Sequence, residues 1–294
     1  MPSTFFLLGP TASGKTALAI EAAALCDAEI VGADAFQIYR GLDILTAKPS
    51  VEERLRTPHH LVGEIALSQP FDVAQYAAAA GDRIREIHAR GKHVLVVGGT
   101  GLYVRALTHG LADLPPADAA LRNQLESMQP EELQARLLQY DPVAAAAIDL
   151  KNPRRVIRAV EVCILTGKPF SSFRQQWNTP KPDVQGIVLM AERTGLYERI
   201  NRRTENMFME GVVEEVRDAG PIGSTAAQAI GLREIRACCE GLISKAQCIE
   251  SIQLATRRYA KRQITWFRKE TAFDATASSR DLAEQIARRV GEQL

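Results

Sequence analysis

The sequence predicts an α/β fold, a parallel sheet core flanked by helices, with an all-helical insertion domain. Three observations predict it. A glycine-rich stretch, Gly9-Pro10-Thr11-Ala12-Ser13-Gly14-Lys15-Thr16, joins an apolar strand pattern to a helical one. Short β-rich runs then alternate with helical patterns as far as residue 113, as parallel strands with crossover helices require. From 114 to 179 the strand patterns stop and helical patterns follow one another.

Each element follows from its local pattern. Residues 3–9 form an apolar run and predict a buried first strand; residues 14–26 predict the helix that the glycine loop feeds. Gly9, Gly14, Lys15 and Thr16 satisfy G-x-x-x-x-G-K-[ST], so the core is expected to be P-loop NTPase-like. Ala28–Ala33 predicts a second strand ending at Asp34. Gly41, Pro49, Pro58, Gly63 and Pro70 punctuate residues 35–70, which predict an irregular functional segment with a short helix near 50–56 and room for one more strand. Asp72 is placed to cap a helix over 73–89, stopped by Gly91. The β-branched run 93–97 predicts a strand closed by the turn Gly98-Gly99-Thr100-Gly101. Pro115-Pro116 opens the insertion, with helices expected at 117–127, 130–139, 142–148 and 153–166, and Pro180-Lys181-Pro182 closes it. Residues 186–190 predict a further core strand, followed by helices at 195–219, 225–239, 244–268 and 280–293. The domains expected are 1–113 with 180–294, and 114–179.

Composition narrows the classes. With 294 residues and 46% hydrophobic content, the chain can build a sizeable core and a second unit. The net charge is +1, so any nucleic-acid surface must be local. Cys26, Cys163, Cys238, Cys239 and Cys248 fit neither a disulfide framework nor a zinc site, which predicts reduced thiols and a cytoplasmic setting. The apolar start is short and lacks a basic flank, which predicts no signal peptide. No run approaches membrane-spanning length, so no membrane partner is expected.

The loop residues Gly9 to Thr16 suit an anion. Glycines turn tightly and expose backbone N–H groups, and the next helix adds its positive end. Lys15 brings a full charge to an outer phosphate, and Thr16 offers a hydroxyl to Mg2+. Asp34 stands at the carboxyl end of the second strand, on the ligand-binding edge of such sheets, where a carboxylate serves as general base or magnesium ligand. ATP-hydrolysing P-loop proteins place an acidic magnesium ligand after a strand like 93–97; here Gly98, Gly99 and Thr100 follow, which weakens the hydrolase reading. Two basic clusters interrupt the near-neutral chain: Lys151, Arg154, Arg155 and Arg158, and a strip from Arg257 to Lys269 with Tyr259, Trp266 and Phe267 interleaved. On a helix Arg258 and Arg262 share a face, which suits nucleic-acid phosphates as well as it suits solvent. His59-His60 lack partners at metal-ligand spacing and are expected to bind or order a loop. The residues alone leave open a P-loop small-molecule kinase and a non-catalytic, nucleotide-controlled RNA-binding protein.

Together these stretches resemble the bacterial tRNA dimethylallyltransferases, or isopentenyl transferases. The resemblance rests on the glycine loop, Ala33-Asp34 with Gln37–Ile44 and Thr46–Pro49, Pro58–Leu61, Val73–Tyr76 and Gly98–Tyr103. It continues in Arg155–Val162, Thr166-Gly167, Ala229–Gly231, Thr256–Gln263 and Thr265–Arg268. It implies that the loop, Gly9, Pro10, Thr11, Ala12, Ser13, Gly14, Lys15 and Thr16, holds dimethylallyl diphosphate rather than ATP, with Mg2+ on Thr16. The acceptor it implies is the N6 amine of the adenosine 3′ to the anticodon, in tRNAs reading codons that begin with U. Asp34 matches the family's general base, with Lys15, Thr16 and Thr100 completing the catalytic set. Asp34, Ala35, Phe36, Gln37, Thr100, Arg122, Arg158, Ala159, Val160, Glu161 and Val162 match tRNA-contacting positions; the basic strip adds Arg258 and Arg262 for the anticodon stem-loop. A monomer is expected. The chain departs from the family's usual residues at Ala35, Phe36, Leu45, Arg154 and Leu232.

Overall fold

The computed structural model describes residues 1–177, 181, 184–270 and 272–292. Six strands, β1 (Thr4–Leu8), β2 (Ala28–Ala33), β3 (His59–His60), β4 (His93–Gly98), β5 (Gln185–Met190) and β6 (Asp274–Ala277), form one sheet. Their order is β3-β2-β4-β1-β5-β6, and every pairing is parallel. β1 is apolar at successive positions because both faces are covered. Phe6 and Leu8 point into one core with Val31, Val94, Val96 and Val188; Phe5 and Leu7 point into the opposite core with Ile30, Leu95, Ile187 and Leu189.

The covering helices take sides in a way that opens a crevice. α1 (Lys15–Leu25) and α13 (Leu282–Gly291) pack on the Phe5 face through Leu18, Ile20 and Ile286. α3 (Val73–Ala89) and α4 (Gly101–His109) pack on the other through Tyr76, Ile87 and Val104. The loops leaving neighbouring strands β1 and β4 therefore diverge to opposite faces, and the gap between them is where ligands enter such sheets. The predicted cap of α3 is present: Asp72 accepts from the Ala74 and Gln75 amides, while Gln75 accepts from the Asp72 amide.

Several elements differ from expectation. The further strand within 35–70 is β3, so His59 and His60 belong to the sheet edge and not to a free loop. Asp274–Ala277 carries little strand signal and is largely exposed, yet it pairs along β5 as an edge strand. α4 follows the Gly98–Gly101 turn directly, where no helix is expected. The helix expected at 195–219 is two, α9 (Arg193–Met209) and α10 (Val212–Asp218), because Gly211 takes φ 94° between them. The helix expected from 225 starts instead as α11 (Leu232–Cys239), since Gly231 also takes φ 94°. α2 (Val51–Arg56) and the long α12 (Lys245–Phe267) lie where the sequence puts them.

The described chain divides into two compact units, Met1–Thr108 with Pro182–Leu294, and His109–Lys181. The second holds α5 (Ala119–Glu126), α6 (Pro130–Tyr140), α7 (Pro142–Ala147), α8 (Pro153–Thr166) and a 3-10 segment over Phe170–Trp177. Leu125, Leu133, Leu137, Val156 and Val160 form its core. Pro180 and Pro182, read as closing this region, lie outside the described residues. Among the described residues no helix is long and apolar enough to cross a membrane.

Candidate active site

The glycine loop leaves β1 with Gly9 at φ 154°, where a side chain would collide with the Leu189 carbonyl oxygen at 2.6 Å. Ala12 and Gly14 also take positive φ, at 60° and 94°, so the loop curls before α1 begins. Ser13 N–H bonds back to the Pro10 carbonyl at 3.3 Å. The amides of Gly14, Lys15 and Thr16 make no hydrogen bond among the described residues, and they stand at the positive end of α1. The Ser13 hydroxyl is buried there, again without a hydrogen-bond partner among the described residues. Convergent donors of this kind at a helix start suit an anion.

Lys15 bends over this cradle and donates to the Pro10 carbonyl at 2.7 Å. Burial lowers its pKa to about 8; Asp34 pulls it upward and Arg203 pushes it further down. Arg203 Nη2 donates to the Thr11 hydroxyl at 2.9 Å and Arg199 Nε to the Ala12 carbonyl at 2.8 Å. Both lie on α9, spaced i, i+4, so one helix face sets two cations against the loop. Sequence reading misses them because α9 also carries Glu198 and Glu205, and its charge balance looks ordinary. Burial lowers the Arg203 pKa and Asp34 opposes that shift.

Asp34 sits half-buried just past β2. Its Oδ1 accepts from the Phe36 amide at 2.9 Å and the Gln37 amide at 3.2 Å, a turn that fixes the carboxylate plane. Its Oδ2 makes no hydrogen bond among the described residues and is available to take a proton. Thr100 closes the same edge: its hydroxyl accepts from the Ala35 amide at 3.0 Å and its amide donates to the Ala33 carbonyl at 3.1 Å. Gln37 turns away and donates to the Thr46 and Ala47 carbonyls, at 3.1 and 2.9 Å. It thereby anchors the loop that Glu215 holds from α10 by accepting from the Ile44 and Leu45 amides. Phe36 is half-buried against the neighbouring core. The departures Leu45 and Leu232 are buried together in that core, so they alter packing under the loop and not its exposed face.

α12 supplies the third wall. Gln263 and Phe267 face inward and are buried, while Arg258, Lys261 and Arg262 are exposed. Tyr259 is half-buried beside Thr100 and Gln263; burial, then the Asp34 charge, pushes its phenol pKa far up and keeps it neutral. The Arg262 guanidinium lies over the Tyr259 ring, 5.6 Å from its centroid. His60 has a structural role: its Nε2 pairs with the buried Glu29 carboxylate at 2.7 Å, which Arg90 also engages.

In the helical unit the matched stretch is mostly interior. Ala159, Val160, Glu161 and Val162 are buried, so as side chains they build the core; Arg158 is the member that reaches solvent. Glu161 accepts from Arg122 Nε at 3.0 Å, Arg158 Nη1 at 2.6 Å and the Asp118 amide at 2.9 Å. Burial alone would raise its pKa, but Arg158 and Arg122 more than offset that and hold it below the usual value. Arg122 and Arg158 are thus oriented as a pair by one buried carboxylate. Arg154 and Arg155 are exposed beside them.

For Mg2+ the donor set is sparse. Thr16 offers its hydroxyl, and no group of three His, Cys, Asp or Glu able to hold a metal exists among the described residues. That fits an ion held by substrate phosphate oxygens and water with one protein hydroxyl, the usual manner for magnesium.

An anion loop and a free carboxylate on one edge of a parallel sheet define a P-loop type of group-transfer protein. Comparison with known proteins narrows this. A family model described as IPP transferase matches residues 37–270, and the chain belongs to that family. It is 44% identical to the tRNA dimethylallyltransferase of Akkermansia muciniphila over 292 residues, 99% of each chain. It is 45% identical to that of Geobacter sulfurreducens over 274 residues, 90% of this chain and 88% of the relative. The full-length tRNA isopentenylpyrophosphate transferase structure from Bacillus halodurans superposes with a TM-score of 0.72 at 35% identity, covering 99% of this chain and 96% of that one. A eukaryotic dimethylallyltransferase acting on tRNA gives 0.81 at 26% identity, covering 95% and 75%. The family match begins after the glycine loop and Asp34, so the full-length relatives are what extend the likeness across them.

Proposed function

We propose that the chain transfers the dimethylallyl group of dimethylallyl diphosphate to N6 of the adenosine 3′ to the anticodon, in tRNAs reading codons that start with U. The observation that carries it is the pairing of an anion cradle with a carboxylate whose Oδ2 is unengaged among the described residues, where a hydrolase would need an acidic metal ligand after β4. Relatives matched over nearly the whole chain are named tRNA dimethylallyltransferase, which supports this reading.

The chemistry follows from the groups. The adenine amine is a weak nucleophile because its lone pair is delocalised into the ring. As N6 bonds to the allylic carbon, the carbon–oxygen bond to diphosphate breaks and Asp34 Oδ2 takes the amine proton. The departing diphosphate gathers negative charge, which the amides of Gly14, Lys15 and Thr16, the Lys15 ammonium and the α9 arginines stabilise. Thr16 would hold Mg2+, which would supply further charge neutralisation. The acceptor adenine lies in a single-stranded loop, so it leaves its stack at modest cost. The protein acts as a monomer in the cytoplasm.

RNA is expected to lie along the exposed face of α12. The double variant Arg258→Ala with Arg262→Ala should weaken tRNA binding and make its logarithmic salt dependence shallower, by about 0.7–0.9 for each phosphate no longer neutralised. Fluorescence anisotropy over a salt series measures both, and unchanged affinity and slope would leave this strip as a solvated face.

The reading itself is tested with labelled dimethylallyl diphosphate, magnesium and tRNA. Label should enter tRNA with one diphosphate released per transfer. Phosphorylation of a metabolite from ATP, without RNA and without prenyl transfer, would favour a small-molecule kinase.

A further inference from the structure

Gln263 occupies an unusual place for an amide. It is 5% exposed, within a helix whose outer side is basic. Its Oε1 accepts from the Thr11 amide at 2.8 Å and its Nε2 donates to the Gly99 carbonyl at 2.8 Å. Thr11 belongs to the anion loop after β1; Gly99 belongs to the turn after the adjacent strand β4. Gly99 precedes Thr100, whose hydroxyl accepts from the Ala35 amide next to Asp34. One side chain thus spans from the leaving group's cradle to the turn that braces the base.

The fit is close on every side. A methyl group at Gly99 would stand 2.3 Å from Gln263 Nε2 and 2.9 Å from the Gly9 carbonyl oxygen. One at Gly101 would stand 2.5 Å from the Trp266 ring, so α12 seats on this turn at two successive levels. Gln263 occupies the Thr11 amide and so withdraws it from phosphate; the open amides are those nearer α1. An amide side chain suits this task because it presents an acceptor and a donor side by side.

We propose that Gln263 is a positioning residue for the transfer reaction, setting the separation between the diphosphate cradle and Asp34. The proposal rests on the prenyl-transfer reading. Gln263 is engaged by the protein's own backbone at Thr11 and Gly99, so its loss acts on the geometry of the chemical step. Displacements near 1 Å at a reacting centre lower rates by about 100-fold.

The test compares Gln263→Met and Gln263→Glu with the wild-type chain. Gln263→Met keeps the length and removes both hydrogen bonds. It should lower kcat by about 10- to 100-fold with KM for dimethylallyl diphosphate and tRNA within about twofold. Gln263→Glu restores both bonds only when its carboxyl is protonated, as acceptor and O–H donor. The ratio of its kcat to that of the wild type should therefore climb as pH falls from 8 to 5.5, a trend a structural role would not give. Unchanged kcat in Gln263→Met, a rise confined to KM, or a pH-independent ratio for Gln263→Glu would overturn the proposal. A wild-type chain that transfers no allyl group would remove the functional reading and the proposal with it.

Discussion

Replacing Asp34 with asparagine should lower prenyl transfer by about 10²- to 10⁴-fold while leaving tRNA affinity within about twofold. Asparagine keeps an Oδ1 that accepts from the Phe36 and Gln37 amides, so the turn after β2 survives. What it loses is the second oxygen's capacity to take a proton. Single-turnover transfer and equilibrium tRNA binding separate the two effects. Equal loss of both would make Asp34 a structural residue of the turn. Alanine is a poorer choice, because it also removes the acceptor that holds two backbone amides.

Replacing Lys15 with methionine should lower the transfer rate by about 10²- to 10³-fold, the scale of a lost charge-stabilising donor at a developing anion. The wild-type enzyme also carries a pH signature. Burial sets the Lys15 pKa at about 8, so the ammonium is present at neutral pH and is lost as pH rises through that value. In the proposed reaction it is the charged form that binds the diphosphate, so affinity should be greatest below 8 and decline above it. KM for dimethylallyl diphosphate should climb by up to about tenfold per pH unit there. The methionine variant should lack that climb. A wild-type KM flat from pH 7 to 9.5 would show that Lys15 does not hold the diphosphate through its charge.

Much of this architecture is legible in the sequence because the signals are local. The loop Gly9 to Thr16, the apolar run of β1 and the Asp72 cap each state their structure within a few residues. Asp34 is legible by its place at a strand end. What escapes depends on distant partners. β6 is a strand because β5 offers an open edge, not because Asp274–Ala277 favours one. Gln263 takes its place because Thr11 and Gly99, far away in sequence, converge on it. Arg199 and Arg203 matter through where α9 lies relative to the loop. The run Ala159–Val162 shows the opposite case: a motif in sequence that the structure places inside a helical core, with Arg158 and Arg122 at its surface.

In the proposed reaction the loop holds a leaving group and Asp34 faces the amine that replaces it. Mass spectrometry of tRNA nucleosides after incubation with dimethylallyl diphosphate and magnesium tests this most directly. A dimethylallyl group is expected on N6 of the adenosine 3′ to the anticodon, absent with the Asp34→Asn variant. Unmodified tRNA from the wild-type protein, or a prenyl group on a different base or atom, would contradict it.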